Sequence, residues 1–555
     1  MPLKQKLLNY LQNHNRGRLL ALLTLVFLIY LPFLANPFIF DDLNFLSDNL
    51  LNHFAHSSFH FDLRWFPYAS LGWTWILFLD TPHFFRLGNA LLHATNAVLL
   101  FFLLRQIISI VHADNSKSLN INGVAWTTAV FFACNPVAVY AVGYLIQRSI
   151  LMATLFTLAM QLAYLRGLLS GQKRWLLLSV VFFFFAVFSK EQSVMAPAII
   201  LTTTIMLRSN TRIDLRTLWV TWVAYLIIAT LILLRVKGVL GIVYEHDAVT
   251  LLNQQEPMTQ HILAGNPLTL RLLSIFTQAG LFFKYLFLWL IPNPAWMSID
   301  MRETFSMSWQ AWGNWLKIGV FLSYGLIGFR LLLSENKMRL IGWALLYPWL
   351  FFLPEFSTIR VQEPFVLYRS YLWMPGMMVL IALAVEALPS RKMIIAGGLI
   401  SLLFIPLAWN RLWVMADNYR LWNDAAVLLD SDTTPGAARI FYNRGNAELA
   451  KGRWNDALSD LKRVSAINPE LGQVYAQMGA AYFSLSKYNE AITAFDEAIS
   501  INPDYSQAYF GKGMALKKLH SDDAAMTAIE KSCSLGNVSG CTIVSLYKAA
   551  SAKNN

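Results

Sequence analysis

Apolar runs of roughly 16–25 residues recur along the first 409 residues of this chain, each long enough to cross a bilayer. Inside lipid the backbone polar groups must be satisfied internally, so runs of this length predict membrane helices. They lie near 19–37, 84–108, 123–140, 149–168, 175–189, 193–207, 217–236, 310–333, 340–356, 373–389 and 393–409. The segment 270–291 is apolar as well. Charged residues make up 14% of the chain, against about 25% in soluble proteins, so most of it belongs in lipid.

The net charge of +12 does not point to nucleic acid, because the basic residues gather in short loops between apolar spans. Lys4, Lys6, Arg16 and Arg18 precede the first span. Lys173-Arg174, Arg208/Arg212/Arg216, Lys337/Arg339 and Arg391-Lys392 occupy later loops. The positive-inside rule puts all of these in the cytoplasm. That assignment works if 270–291 does not fully cross, so this segment is predicted to be re-entrant or to lie along the membrane. The fold class is then all-α: a polytopic bundle of about 11 crossing spans. The first span is too long, and lacks a small-residue cleavage site, to be a removed signal peptide. Asp41-Asp42, Tyr144–Arg148, Ser189–Gln192, the loop 237–269 and Glu363–Tyr371 all fall on the outer face.

The tail repeats every 34 residues. Asn468-Pro469 recurs as Asn502-Pro503, and Gly445, Gly479 and Gly513 are in step. So are Ala457, Ala491 and Ala525, and Phe441, Tyr475 and Tyr509. This is the pattern of tetratricopeptide (TPR) helix pairs, predicted as three repeats with a closing helix around Val538–Ala550. The domains are therefore a membrane domain over 1–409, a linker or first helix over 410–437 and a repeat domain over 438–555. Repeats of this kind form a surface that binds peptides or proteins; a structural cap is the alternative. Cys134 lies in an apolar span, and no Cys/His cluster has metal spacing. Cys533 and Cys541 either pair in an oxidising compartment or sit as small buried residues on neighbouring helices.

An ionised side chain at a membrane edge loses hydration, so Asp41 and Asp42, just after the first span, need a reason. One is catalysis, a carboxylate removing a proton from an acceptor hydroxyl. The other is capping of the helix that follows. Arg148 and Lys190-Glu191 stand at span ends, where cations could stabilise a lipid phosphate, or snorkel and pair internally. Arg369, in Tyr368-Arg369-Ser370-Tyr371 after Gln362-Glu363-Pro364, could grip a phosphate bidentately. His93 and Asn96 share a helix face and read as helix–helix hydrogen bonding. No Walker-type phosphate loop is present, which argues against a nucleotide-driven pump.

Taken in order, these motifs resemble the GT-C superfamily of polyprenyl-phosphate-dependent glycosyltransferases. More narrowly, they resemble transmembrane-and-TPR O-mannosyltransferases and bacterial glycosyltransferases that modify type IV pilins. The resemblance rests on Phe40-Asp41-Asp42, Arg86-Leu87-Gly88-Asn89 with His93 and Asn96, and Asn135-Pro136 followed by Tyr144 and Arg148. It continues through Ser189-Lys190-Glu191-Gln192, Asn410-Arg411-Leu412-Trp413 and Asn443-Arg444-Gly445. It implies that Asp41, with Asp42 second, is the catalytic base, and that Arg148, Lys190 and Arg369 bind the donor phosphate. Arg86, Glu191, Glu363 and Tyr371 are implied as supporting residues. Many bacterial relatives carry Glu-His-Arg-Leu-Tyr where this chain has Leu367-Tyr368-Arg369-Ser370-Tyr371, so the role of that Glu-His pair does not transfer.

The expected function is transfer of a sugar from a polyprenyl-phosphate donor to Ser or Thr of an exported protein such as a pilin, with inversion. The repeat domain would bind that protein acceptor. The expected place is a bacterial inner membrane, with the N-terminus cytoplasmic and the repeats periplasmic. No cofactor is called for. A divalent metal stays open, because some members use the acid as a ligand. The alternatives are a lipid or glycan acceptor, and an inactive membrane-anchored assembly scaffold.

Overall fold

The computed structural model describes residues 15–47, 50–111, 120–208, 213–238, 267–335, 337–361, 363–432 and 434–554. Lys4, Lys6, Arg212, Gln362 and most of the 237–269 loop lie outside the described residues. The fold is almost entirely helical. The described residues contain no strand, only an isolated antiparallel bridge between Met301 and Phe365. Two compact units form, Met1–Asp417 and Asn418–Asn555. The last membrane helix, Ser390–Val414, outruns the expected limit at 409. It does so because Arg411 is buried and donates to the Met297 carbonyl at 2.7 Å.

In the first unit eight described helices are long and apolar enough to cross a membrane. They are Asn15–Phe33, Pro82–Val111, Leu145–Ser170, Arg216–Val236, Leu268–Leu290, Trp312–Leu333, Met338–Ser357 and Ser390–Val414. The pair Ile121–Cys134 and Pro136–Val142, bent by 49°, is a ninth candidate. The bend falls at Asn135-Pro136, where proline removes a backbone donor. Asn135 repairs the break, accepting from the Val137 N–H at 3.0 Å and donating to the Trp289 carbonyl at 2.9 Å. Three other expected spans form shorter helices, Lys173–Ser189, Ala196–Met206 and Met374–Val385. Large apolar side chains stay exposed along the crossing helices, for example Trp219, Leu226, Leu326 and Leu402, as lipid contact requires.

The 270–291 segment, expected to be re-entrant or to lie along the membrane, forms one unbroken helix, Pro267–Leu290, long and apolar enough to cross. Near its start, Leu270, Leu273 and Phe276 pack on Ile359 and Val361. Near its end, the Trp289 indole donates to Ser370 at 2.8 Å. Both ends thus meet the same connecting segment, 353–373. The basic loops gather at the other end of the bundle. There the Trp126 indole meets the Arg18 carbonyl at 2.9 Å, Asn120 meets Ser390 at 2.8 Å, and Lys337 pairs with Glu386.

The second unit stacks helix pairs 437–450 with 454–467, 472–484 with 488–501, and 506–518 with 522–534. The in-step glycines explain the period. A Cβ on Gly479 would stand 2.7 Å from the Phe495 ring, and one on Gly513 2.6 Å from Ile529, so the second and third pairs close only over a bare backbone. Ala457, Ala491 and Ala525 are buried in the three equivalent second helices. Val538–Asn554 closes the array, and a Cys533–Cys541 disulfide ties it to the preceding helix.

Candidate functional site

Asp41 and Asp42 both begin the helix Asp41–Ser47, where the helix N-terminus favours negative charge. The residue before them, Phe40, has φ +52°, a conformation that strains a bulky side chain and is found where surrounding structure enforces it. The two acids then part. Asp42 is buried and accepts backbone N–H groups of Ile146 at 2.9 Å and of Leu145 and Ile39 at 3.4 Å. Burial pushes its carboxyl up to about 6, against the pull of Arg86 and these N–H groups. Asp42 therefore fastens the 144–147 turn. Asp41 is half-buried and lines a cavity of about 730 Å³. Its Oδ2 accepts the Tyr144 hydroxyl at 2.5 Å, and its N–H donates back to that oxygen at 3.2 Å. Burial, and then the Asp41 charge, keep the Tyr144 phenol well above its usual range, so it remains a proton donor.

Arg86-Leu87-Gly88-Asn89 builds the support beneath this pair. Arg86 donates to the carbonyls of Asn36 at 3.0 Å, Gly143 at 2.5 Å, and Pro37, holding the strand of chain that leads into Asp41. Asn89 accepts from Arg148 Nε at 2.9 Å. Gly88 leaves room for that guanidinium, since a Cβ there would lie 2.8 Å from Arg148 Nη2. Arg148 also donates to Ser70, to Thr74 at 3.1 Å and to the Phe85 carbonyl at 2.9 Å. With each guanidinium nitrogen already donating, and no part in the cavity lining, Arg148 ties helices together. Of the residues implied as phosphate ligands, Arg148 is thus the one that does not line this cavity. Tyr371 is likewise not in the lining. Its hydroxyl meets His93 Nδ1 at 2.6 Å and Asn96 at 3.3 Å, which joins the helix-face pair expected of those two residues.

Lys190, Glu191, Glu363 and Arg369 do line the cavity with Asp41. Lys190 falls between two helices, where the helix Lys173–Ser189 ends and a 3-10 turn, Glu191–Met195, begins. It is buried, forms no ion pair among the described residues, and stands 5.8 Å from the Tyr368 ring centroid. Burial, then the neighbouring Arg64, pull its amine down to about 7. Burial alone would raise the Glu191 pKa, but Arg64 outweighs it and holds that carboxyl well below its usual range. Arg64 grips Glu191 through Nε at 3.0 Å and through Nη2. Arg369 Nη1 donates to Glu355 at 2.8 Å, and Gln192 donates to the other Glu355 oxygen.

Sequence reasoning missed Arg64, Glu355, Arg360 and Tyr144 as site residues, all but Tyr144 in the cavity lining. Glu355 carried the same signal as Asp41, an acid at the end of an apolar span. The opposite wall is apolar, formed by Ile232, Leu233 and Val236 at the end of the Leu215–Val236 helix. One cavity therefore holds a positioned carboxylate, the buried Lys190 amine beside arginines that Glu191 and Glu355 engage, and an apolar side. Among the described residues no three His, Cys, Asp or Glu side chains could hold a metal. Asp42 already accepts backbone N–H groups, so the acid pair does not fit a metal site.

The tetratricopeptide-repeat family matches residues 472–505, so the chain carries a TPR repeat near its C-terminus. No curated protein matches the chain. Among solved structures it is similar to the TPR domain of Arabidopsis OM64, at 21% identity over 20% of this chain and 92% of that one, with TM-score 0.19. It is similar to MamA at 26% identity over 22% of this chain and 68% of that one, with TM-score 0.20. A chain of the APC/C hetero-tetramer Cut9-Hcn1 overlaps 93% of this chain and 98% of its own, at 12% identity and TM-score 0.23. At these scores the overlaps say nothing of activity.

Proposed function

We propose that the first unit is a glycosyltransferase of GT-C type that draws on a polyprenyl-phosphate sugar. The observation that carries this reading is the shared cavity, with Asp41 on the same lining as Lys190, Arg360 and Arg369 and with an apolar wall at Ile232–Val236. The lipid tail would lie along the apolar wall and the phosphate against Lys190. Asp41 would take the proton of an acceptor hydroxyl as its oxygen bonds to the anomeric carbon. The anomeric carbon–oxygen bond to phosphate would break with its electron pair, releasing polyprenyl phosphate and inverting the centre. No protein-bound metal enters this scheme.

The second unit would supply the acceptor, a polypeptide bearing Ser or Thr such as a pilin, since stacked TPR pairs bind extended chains. The Cys533–Cys541 disulfide fits an oxidising compartment, and the charge rule puts the same face outside, in the periplasm of a bacterium. Incubating the purified protein with a labelled polyprenyl-phosphate sugar and an acceptor peptide tests the reading. Label appearing on the peptide supports it, and label confined to lipid or glycan redirects it to another acceptor class.

Two outcomes follow from the geometry. Lys190 carries its charge below about 7 and loses it above. The kcat/KM for donor should therefore fall as pH rises through that value, and Lys190→Arg, which stays charged, should remove the fall. Lys190→Gln should lower kcat/KM about 10–100-fold, the worth of a hydrogen bond to a charged group. Tyr144→Phe should lower kcat about tenfold with KM for donor unchanged, because it loosens Asp41 without touching the phosphate.

A further inference from the structure

A second cavity, of about 690 Å³, opens between the helices Pro82–Val111, Arg148–Ser170 and Lys173–Ser189. Arg105 lies 19 residues beyond Arg86 and Arg166 lies 18 beyond Arg148. At about 1.5 Å per residue each is nearly 30 Å from the Asp41 end, close to the thickness of a hydrocarbon core. The lining changes character along its depth. Leu99, Phe102, Leu162 and Phe182 make an apolar trough, and Arg105 and Arg166 stand in its lining beside Trp175. The Arg166 guanidinium rests on the Trp175 ring, 4.1 Å from its centroid.

These three helices contain no Asp or Glu. Arg105 and Arg166 are exposed and form no ion pair among the described residues. Of the charged groups nearby, Asp214 lies within electrostatic reach of Lys173, and Arg174 donates to Gln172 at 3.1 Å. Among the described residues, two cations thus flank an apolar trough with no ion-pair partner. Their complement is an anion carrying acyl chains. We propose that this cavity binds an anionic phospholipid, its phosphodiester held by Arg105 and Arg166 and an acyl chain laid along Phe102 and Phe182. Basic pockets between membrane helices hold such headgroups on the cytoplasmic side, where the charge rule puts this end. The site is separate from the donor cavity and does not rest on the glycosyltransferase reading.

Native mass spectrometry of the full-length protein in detergent, titrated with phosphatidylglycerol, tests the proposal. The wild type should retain phosphatidylglycerol over phosphatidylcholine, and R105Q/R166Q should bind it roughly 25-fold more weakly, about fivefold per arginine. Unchanged retention in the double variant overturns the proposal. So does equal thermal protection by inorganic phosphate, which would leave the trough without a role. If the variant does not fold, wild type alone suffices: phosphatidylglycerol with a photoreactive acyl chain should label peptides spanning 99–110 and 159–182, and labelling confined to other helices contradicts the site.

Discussion

Asp41→Asn should reduce sugar transfer by about 10²–10⁴-fold while leaving the fold and donor binding intact, the range for loss of a general base. The amide keeps the shape of the carboxylate and can still accept the Tyr144 hydroxyl. What it loses is the capacity to take a proton. Asp42→Asn should behave differently. Its oxygens accept two backbone N–H groups of the 144–147 turn and that of Ile39, so this substitution should act on stability and only through the turn on rate. Far-UV circular dichroism with single-turnover transfer separates the two. Equal losses in both variants, with both folded, would mean that the carboxylates act as a pair and that the division of roles drawn from their burial is wrong.

Glu355→Ala should be the most destabilising single change in the cavity, by about 3–5 kcal/mol, the penalty for leaving a buried charge without its partner. The Glu355 side chain is buried, accepts Arg369 at 2.8 Å and Gln192 on its other oxygen, and stands 4.0 Å from Arg360. Removing it strands the buried Arg369 guanidinium. The double change E355L/R369M removes both charges and should recover most of the stability, as replacing a buried pair by apolar residues often does. If Arg369 serves only Glu355, the double variant recovers transfer as well. If Arg369 also steadies the donor phosphate, stability returns without activity. Unfolding in denaturant and donor kinetics on the same preparations read both arms.

How far the sequence shows this arrangement depends on the range of the forces involved. The repeat period is local, because each helix pair needs its glycine and its alanine at fixed spacing, so Gly479 and Ala491 mark the helix crossing in the sequence itself. The break at Asn135-Pro136 and the acid at Asp41 are local in the same sense. Arg148 is not. A cation at the start of a span looks the same whether it faces a ligand or, as here, Ser70, Thr74, Phe85 and Asn89 on other helices. The contacts of Tyr371 are hidden for the same reason, its partners His93 and Asn96 lying 275 residues or more away in sequence. Arg64 escaped notice because its segment has no span. Its φ of +60°, just before the Trp65–Phe78 helix, is a property of the folded chain that no sequence pattern signals. The shorter helices Lys173–Ser189 and Ala196–Met206 show a further limit, since hydropathy sees two apolar runs but not the 3-10 turn that presents Lys190 between them.

The proposed reaction needs one cavity to seat both the donor phosphate and the base. A structure of the protein with a polyprenyl-phosphate sugar bound addresses it most directly. In it the phosphate should lie within hydrogen-bond distance of Lys190, the lipid tail along Ile232–Val236, and the anomeric carbon on the side facing Asp41. A donor bound with its phosphate outside this cavity, or with the anomeric carbon turned away from Asp41, would contradict it.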